Sequence, residues 1–191
     1  ATYLSNIGKI EKAKKVVNSS LKLYPRNLLL NQYKLDLNKG KNTNNFNCQN
    51  LSNIIAEIFY ITANALSSQN IYTFSNFYLN LSKYLNNDFY HFDTLLAENF
   101  YKTDDFVQAK KIYKEMSKQG EAFFWYSAKQ NAKILIKQDK KEKALKLINN
   151  TYEKLSKKNI YQTFDYAKFL KNNEQFEDSI KLYTKIIKKI K

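Results

Sequence analysis

Small and large apolar residues recur along this chain at a fixed spacing. Ala63, Ala97, Ala132 and Ala167 are separated by 34, 35 and 35 residues, and Ser75, Ala109, Ala144 and Ser179 by the same intervals. Each member of the second set follows its mate by 12 residues, and Ala1 and Ala13 repeat that offset. Large residues keep step. Leu4, Leu66, Phe100, Leu135 and Leu170 lie three positions after the first slot; Val17, Leu79, Tyr113, Ile148 and Tyr183 lie four positions after the second. Such offsets put residues on one face of a helix, so each period predicts two amphipathic helices. Small residues facing each other let the two backbones approach, and the large ones fill the groove beside them. The connecting stretches "NIGK", "SSQN", "KTDD", "KQDK" and "KNNE" are rich in Gly, Asn and Asp. These residues tolerate a left-handed helix end or accept bonds from unsatisfied N–H groups. One hairpin cannot bury both of its faces, so the hairpins are expected to stack.

The opening stretch carries the fullest version of the pattern. Gly8 sits in the turn, Ile10 in the next apolar slot, Ala13 in the small slot, Val17 and Ser20 in the following large and small slots, and Pro25 at the close. This arrangement resembles the tetratricopeptide repeat, a helix–turn–helix unit of about 34 residues. The resemblance implies an all-α fold, a right-handed α-α superhelix of stacked antiparallel helix pairs. Later copies depart from it. Asn87 stands where proline is expected, Met116 and Ile186 replace the third small residue, and Lys141 replaces a hydrophobe near the turn. The tryptophan slot of the first helix keeps Phe59 but holds Asp93, Ala128 and Thr163 in the other copies.

The chain divides accordingly, as one repeat domain over 1–191. Residues 1–27 form a truncated repeat, and 28–50 a degenerate unit. The repeats then run 54–88, 89–122, 123–157 and 158–191. In the degenerate unit "LLLNQYKLDLNK" can form one helix. "GKNTNNFNCQN" lacks helical periodicity and is expected to replace the second helix with a loop. The next helix is expected to start near Leu51 or Ser52. Neither end looks like a polar cap, so the chain is expected to be a segment of a longer protein.

Composition narrows the chemistry. Three glycines and one proline are too few for a turn-rich sheet protein. One cysteine, Cys48, excludes an internal disulfide, and neither it nor the single His91 has a partner at metal-ligand spacing. No metal or cofactor is expected, and no Walker-type loop, GxSxG, HExxH or CxxC pair nominates a catalytic centre. An enzyme within these residues is not expected. The longest apolar stretch, "IIAEIFYITANALSS", is too short and polar to span a bilayer. A cytoplasmic location is expected; a leader peptide cannot be assessed, because the chain is expected to begin inside a helix. The net charge of +15 is almost all lysine, with one arginine, and is concentrated after residue 100.

In the family this pattern resembles, the first helix of each pair lines a concave groove that holds peptides. Groove-facing positions are expected one residue after the first small slot, and three and six before it. In the middle of the chain they are Glu57, Tyr60, Asn64, His91, Thr94 and Glu98. In the C-terminal part they are Tyr126, Lys129, Lys133, Tyr161, Phe164 and Lys168, with Lys137 and Lys171 one turn further on. Lys129, Lys133 and Lys137 form one cationic stripe at i, i+4 and i+8. Lysines between aromatic walls favour an acidic peptide or a C-terminal carboxylate; the plainer reading is a solvated helix face. The lysine–asparagine arrangement that clamps chaperone tails in some members is absent, because Tyr60 stands where a lysine is expected beside Asn64. His91 reads as an ordinary surface histidine, and Trp125 as a packing residue between repeats or a peptide anchor. The expected function is a protein-interaction scaffold. The alternative is a helical repeat binding single-stranded nucleic acid through its basic, aromatic surface.

Overall fold

Five positions before each second small slot, the backbone turns left-handed. The residues are Gly8, Asn70, Asp104, Asp139 and Glu174, with φ between 55° and 76°. At four of these turns the next N–H reaches back to the carbonyl of a large-slot leucine: Lys9 to Leu4, Ile71 to Leu66, Lys140 to Leu135 and Gln175 to Leu170, at 2.8–2.9 Å. This closure satisfies carbonyls that a helix end leaves open. Glu174 was not expected in this role. The turn "KNNE" uses it rather than either asparagine, and its carboxylate pairs with Lys141.

The computed structural model describes residues 1–41, 46–47, 49–88 and 91–190. Eleven helices occur among them: α1 (Thr2–Asn6), α2 (Ile10–Leu23), α3 (Leu28–Asn38), α4 (Leu51–Ser68), α5 (Tyr72–Leu85), α6 (His91–Lys102), α7 (Phe106–Met116), α8 (Glu121–Lys137), α9 (Lys141–Glu153), α10 (Ile160–Asn172) and α11 (Phe176–Ile190). Asparagine and aspartate side chains start several of them. Asn27 accepts from the Leu30 N–H, Asn50 from Ser52 and Asp105 from Gln108. Asn159 and Gln162 form a reciprocal capping box. The described residues between α3 and α4 are non-helical; Cys48 lies outside the described residues. No helix among them is long and apolar enough to cross a membrane.

The chain forms two compact units, Ala1–Ala122 and Phe123–Lys191. In the first, neighbouring helices pack in sequence order: α1 on α2, α2 on α3, α4 on α5, α5 on α6 and α6 on α7. Ala56, Ala63, Leu79, Phe92 and Leu96 form its main core, and Ala13, Val17 and Leu37 a smaller one. In the second unit α8, α9 and α10 share a core around Trp125, Ala132, Ala144, Ile148, Tyr152 and Leu170, and α11 packs on α10.

The small slots are fully enclosed. Ala13, Ala63, Ser75, Ala97, Ala109, Ala132, Ala144 and Ala167 have no exposed surface, and Ser179 almost none. Ala1, assigned to the same slot, instead precedes α1 and is exposed. Where the second slot is serine, its hydroxyl donates across the hairpin to the first slot's carbonyl: Ser75 to Ala63 at 2.8 Å and Ser179 to Ala167 at 2.9 Å. The degraded tryptophan slots are also filled. Asp93 is buried and pairs with Lys83 at 2.6 Å. Thr163 shares a 2.9 Å hydrogen bond with the Tyr152 hydroxyl.

One contact departs from nearest-neighbour stacking. Gln32 of α3 is buried, and its amide oxygen accepts the Ala122 N–H at 3.1 Å. Its amide nitrogen donates to Asp36 at 3.0 Å. Gly120 lies against this amide at φ 148°, and a Cβ built there would come within 2.2 Å of Gln32 Nε2.

Candidate peptide-binding groove

A groove of about 260 Å³ opens in the second unit, lined by Trp125, Lys129, Gln130, Lys133, Ile148, Asp165, Lys168, Phe169 and Asn172. The helical period explains the set. Positions 125, 129 and 133 stand on one face of α8, and 165, 168, 169 and 172 on one face of α10. Ile148 of α9 supplies apolar surface between them. Three of the eight residues expected in this half therefore line the groove: Lys129, Lys133 and Lys168. Tyr126, Lys137, Tyr161, Phe164 and Lys171 are not among the lining residues. Phe164 meets Tyr183 edge-on at 5.7 Å. Lys137 and Lys171 are exposed further along their helices.

The groove is not a bare lysine stripe. Asp165 pairs with Lys129 at 2.5 Å, and both side chains are largely shielded from solvent. The same ammonium lies 6.0 Å from the centroid of the Trp125 ring. The pair removes one charge from the expected stripe and fixes Lys129 between carboxylate and indole. Asp165 escaped the sequence reading because it stands two positions before the small slot, outside the groove rule. Its signal was available: it is the one acidic residue of α10, on the face that carries Lys168.

Trp125 unites the two roles weighed for it. It is 5 % exposed and packs against Tyr152 with ring centroids 5.9 Å apart, yet it also lines the groove. Its indole N–H is buried and has no hydrogen-bond acceptor among the described residues. An indole nitrogen can only donate, so a groove-lining residue carries an unsatisfied buried donor.

The residues expected in the first half gather differently. Tyr60 meets His91 edge-on at 6.1 Å and Phe92 at 5.6 Å. Burial raises the Glu57 carboxyl above its ordinary range; burial, then the Glu57 charge, raises the Tyr60 hydroxyl. Burial lowers the His91 imidazole to about 4. His91 is thus a half-buried neutral ring against Tyr60, not the surface histidine expected. Asn64 and Glu98 are exposed, and Thr94 donates its hydroxyl to the His91 carbonyl.

No protein-family model, no curated protein and no solved structure matches the chain.

Proposed function

We propose that this chain is a tetratricopeptide-like helical repeat that serves as a protein-interaction scaffold, and that the groove of its second unit takes an acidic peptide segment. One observation carries the reading: Lys133 and Lys168 line one groove with Trp125, whose indole N–H is buried with no acceptor among the described residues. The ammonium groups of Lys133 and Lys168 favour a carboxylate over a neutral acceptor. The half-buried ring of Phe169 suits the stem of such a side chain. Stacking of the hairpins into a right-handed superhelix belongs to the same proposal.

Trp125 is the only tryptophan, so its fluorescence reports the groove directly. Titration with an Asp/Glu-rich peptide should change that signal saturably. A peptide with amides in place of the carboxylates should not, and Lys133→Glu with Lys168→Glu should abolish the change. Binding to single-stranded RNA that is steeply salt-dependent and untouched by acidic peptide would overturn the scaffold in favour of the nucleic-acid reading.

A further inference from the structure

The first unit contains an exposed apolar helix face, two of whose positions are packed into the core one repeat later. On α4, Leu51, Ile54, Ile58 and Ile61 recur at intervals of three, four and three residues, and all four are exposed. They stand opposite Ala56 and Ala63, which seat α4 on its own hairpin. One repeat later, the position of Ile58 is Phe92 of α6. Ile58 is 54 % exposed and Phe92 is 1 % exposed, enclosed in the core with Leu79 of α5. The position of Ile61 becomes Leu95, packed against that same cluster. On α6, then, this face is covered by the second helix of the preceding hairpin, α5. The described residues ahead of α4 supply no such helix, and the main neighbours that pack on α4 are α5 and α6.

Charge indicates what can cover it. Residues 42–82 hold a single charged side chain, Glu57, in a chain whose net charge is +15. Two copies repel each other across most of their surface, and this tract is where that repulsion is least. The three–four–three spacing of β-branched and leucine side chains is that of a coiled-coil seam, which is complementary to itself. At 1.5 Å per residue, Leu51 to Ile61 make a seam of about 15 Å along the 18-residue α4.

We propose that α4 is a self-association surface: two copies of this chain pair through Leu51, Ile54, Ile58 and Ile61, α4 against α4 about a two-fold axis. Each copy supplies the helix that the other lacks. The interface is isologous, so it closes at two copies. One helix pair is small for a stable interface, so the dimer is a weak, concentration-dependent one. Salt strengthens the dimer, because it screens the repulsion between the basic remainders while leaving the apolar contact intact.

Sedimentation equilibrium of the 191-residue chain tests this. A monomer–dimer equilibrium is expected, tightening as sodium chloride rises from about 50 to 500 mM. Ile58→Glu should weaken it at least about tenfold. Position 58 is solvent-facing in the single copy, so the variant should keep its far-UV circular dichroism and melting temperature at concentrations where both proteins are monomeric. A chain that stays monomeric at about 200 µM and 500 mM salt overturns the proposal. So does a dimer that Ile58→Glu leaves unchanged, or one that grows beyond two copies. None of these readouts involves Trp125, so failure here is separate from failure of the groove.

Discussion

The Ser75 hydroxyl joins two hairpins: it donates to the Ala63 carbonyl at 2.8 Å and accepts from the buried Asn99 amide of the next hairpin at 2.8 Å. Asn99 also donates to Asn76 and accepts from the Ser67 hydroxyl at 2.6 Å. Ser179 makes the first of these bonds, to Ala167, at the same repeat position. The two serines should therefore respond differently to truncation. Ser179→Ala loses one neutral hydrogen bond at a position where Ala109 and Ala144 show that alanine fits, a cost of about 1 kcal/mol. Ser75→Ala also takes an acceptor from buried Asn99 and should cost roughly 1 kcal/mol more. Urea unfolding of both variants measures the difference, and equal losses would contradict it.

Gly120→Ala should destabilise the first unit by about 2–3 kcal/mol, since the new methyl meets the Gln32 amide and φ 148° is unfavourable for any side chain. Adding Gln32→Ala should recover part of the loss by removing the collision and leaving only the backbone strain. A double variant no more stable than Gly120→Ala would show that the collision is not the cause.

Glu174→Gly should raise the stability of the second unit by about 0.5–1 kcal/mol. Glycine adopts φ 67° without the steric penalty that glutamate carries. The Lys141 pair lost with it is exposed and worth little. A lower melting temperature for the variant would count against this accounting.

His91 gives the fold an acid-sensitive component. The unfolded chain takes up this proton near pH 6.5, and the folded chain only near 4. The unfolded state thus binds more protons in between, so stability is full above about 6.5 and lost as pH falls toward 4. Glu57, raised by burial, acts in the opposite sense: its contribution is lost as pH rises above the ordinary carboxylate range. Comparing wild type with His91→Gln isolates the histidine. Between pH 7 and 4.5 the wild type should lose roughly 1–3 kcal/mol more than the variant in urea unfolding.

Asp165→Asn should tighten acidic-peptide binding by about three- to tenfold, because it releases Lys129 from its carboxylate and makes the groove more positive. The gain should shrink as salt rises. Trp125 fluorescence reads both effects, and weaker binding would assign Asp165 to holding the groove's shape.

The helices were legible because their signal is local. Ala63, Ala97, Ala132 and Ala167 keep one period, and burial of the small slots requires no more than that two helices touch. The left-handed turn at Asn70, Asp104 and Asp139 follows from residue chemistry in the same way, whereas Glu174 holds it by position, without the local preference. Less visible were contacts that depend on which distant residues meet. Lys129 was found as a charge, but its partner Asp165 is 36 residues away on another helix. Lys83 and Asp93 compensate a slot that looked spoiled when each copy was read alone. His91 was placed on the surface because neither Tyr60 nor Phe92 could be positioned against it from periodicity. The apolar row on α4 was readable as a helix face, but its exposure follows from the lack of a second helix between α3 and α4 among the described residues.

The hydrogen bond between Gln32 and Ala122 spans 90 residues. The hairpins of the first unit close over short separations and can form as soon as their own residues exist. The docking of α3 beside Gly120 cannot. During synthesis α3 must wait, with the Gln32 amide still in water, until residue 122 has left the ribosome. The N-terminal helices are thus made early and secured late, and a chain interrupted before Gly120 has its hairpins but not the latch that ties α3 to the close of the first unit.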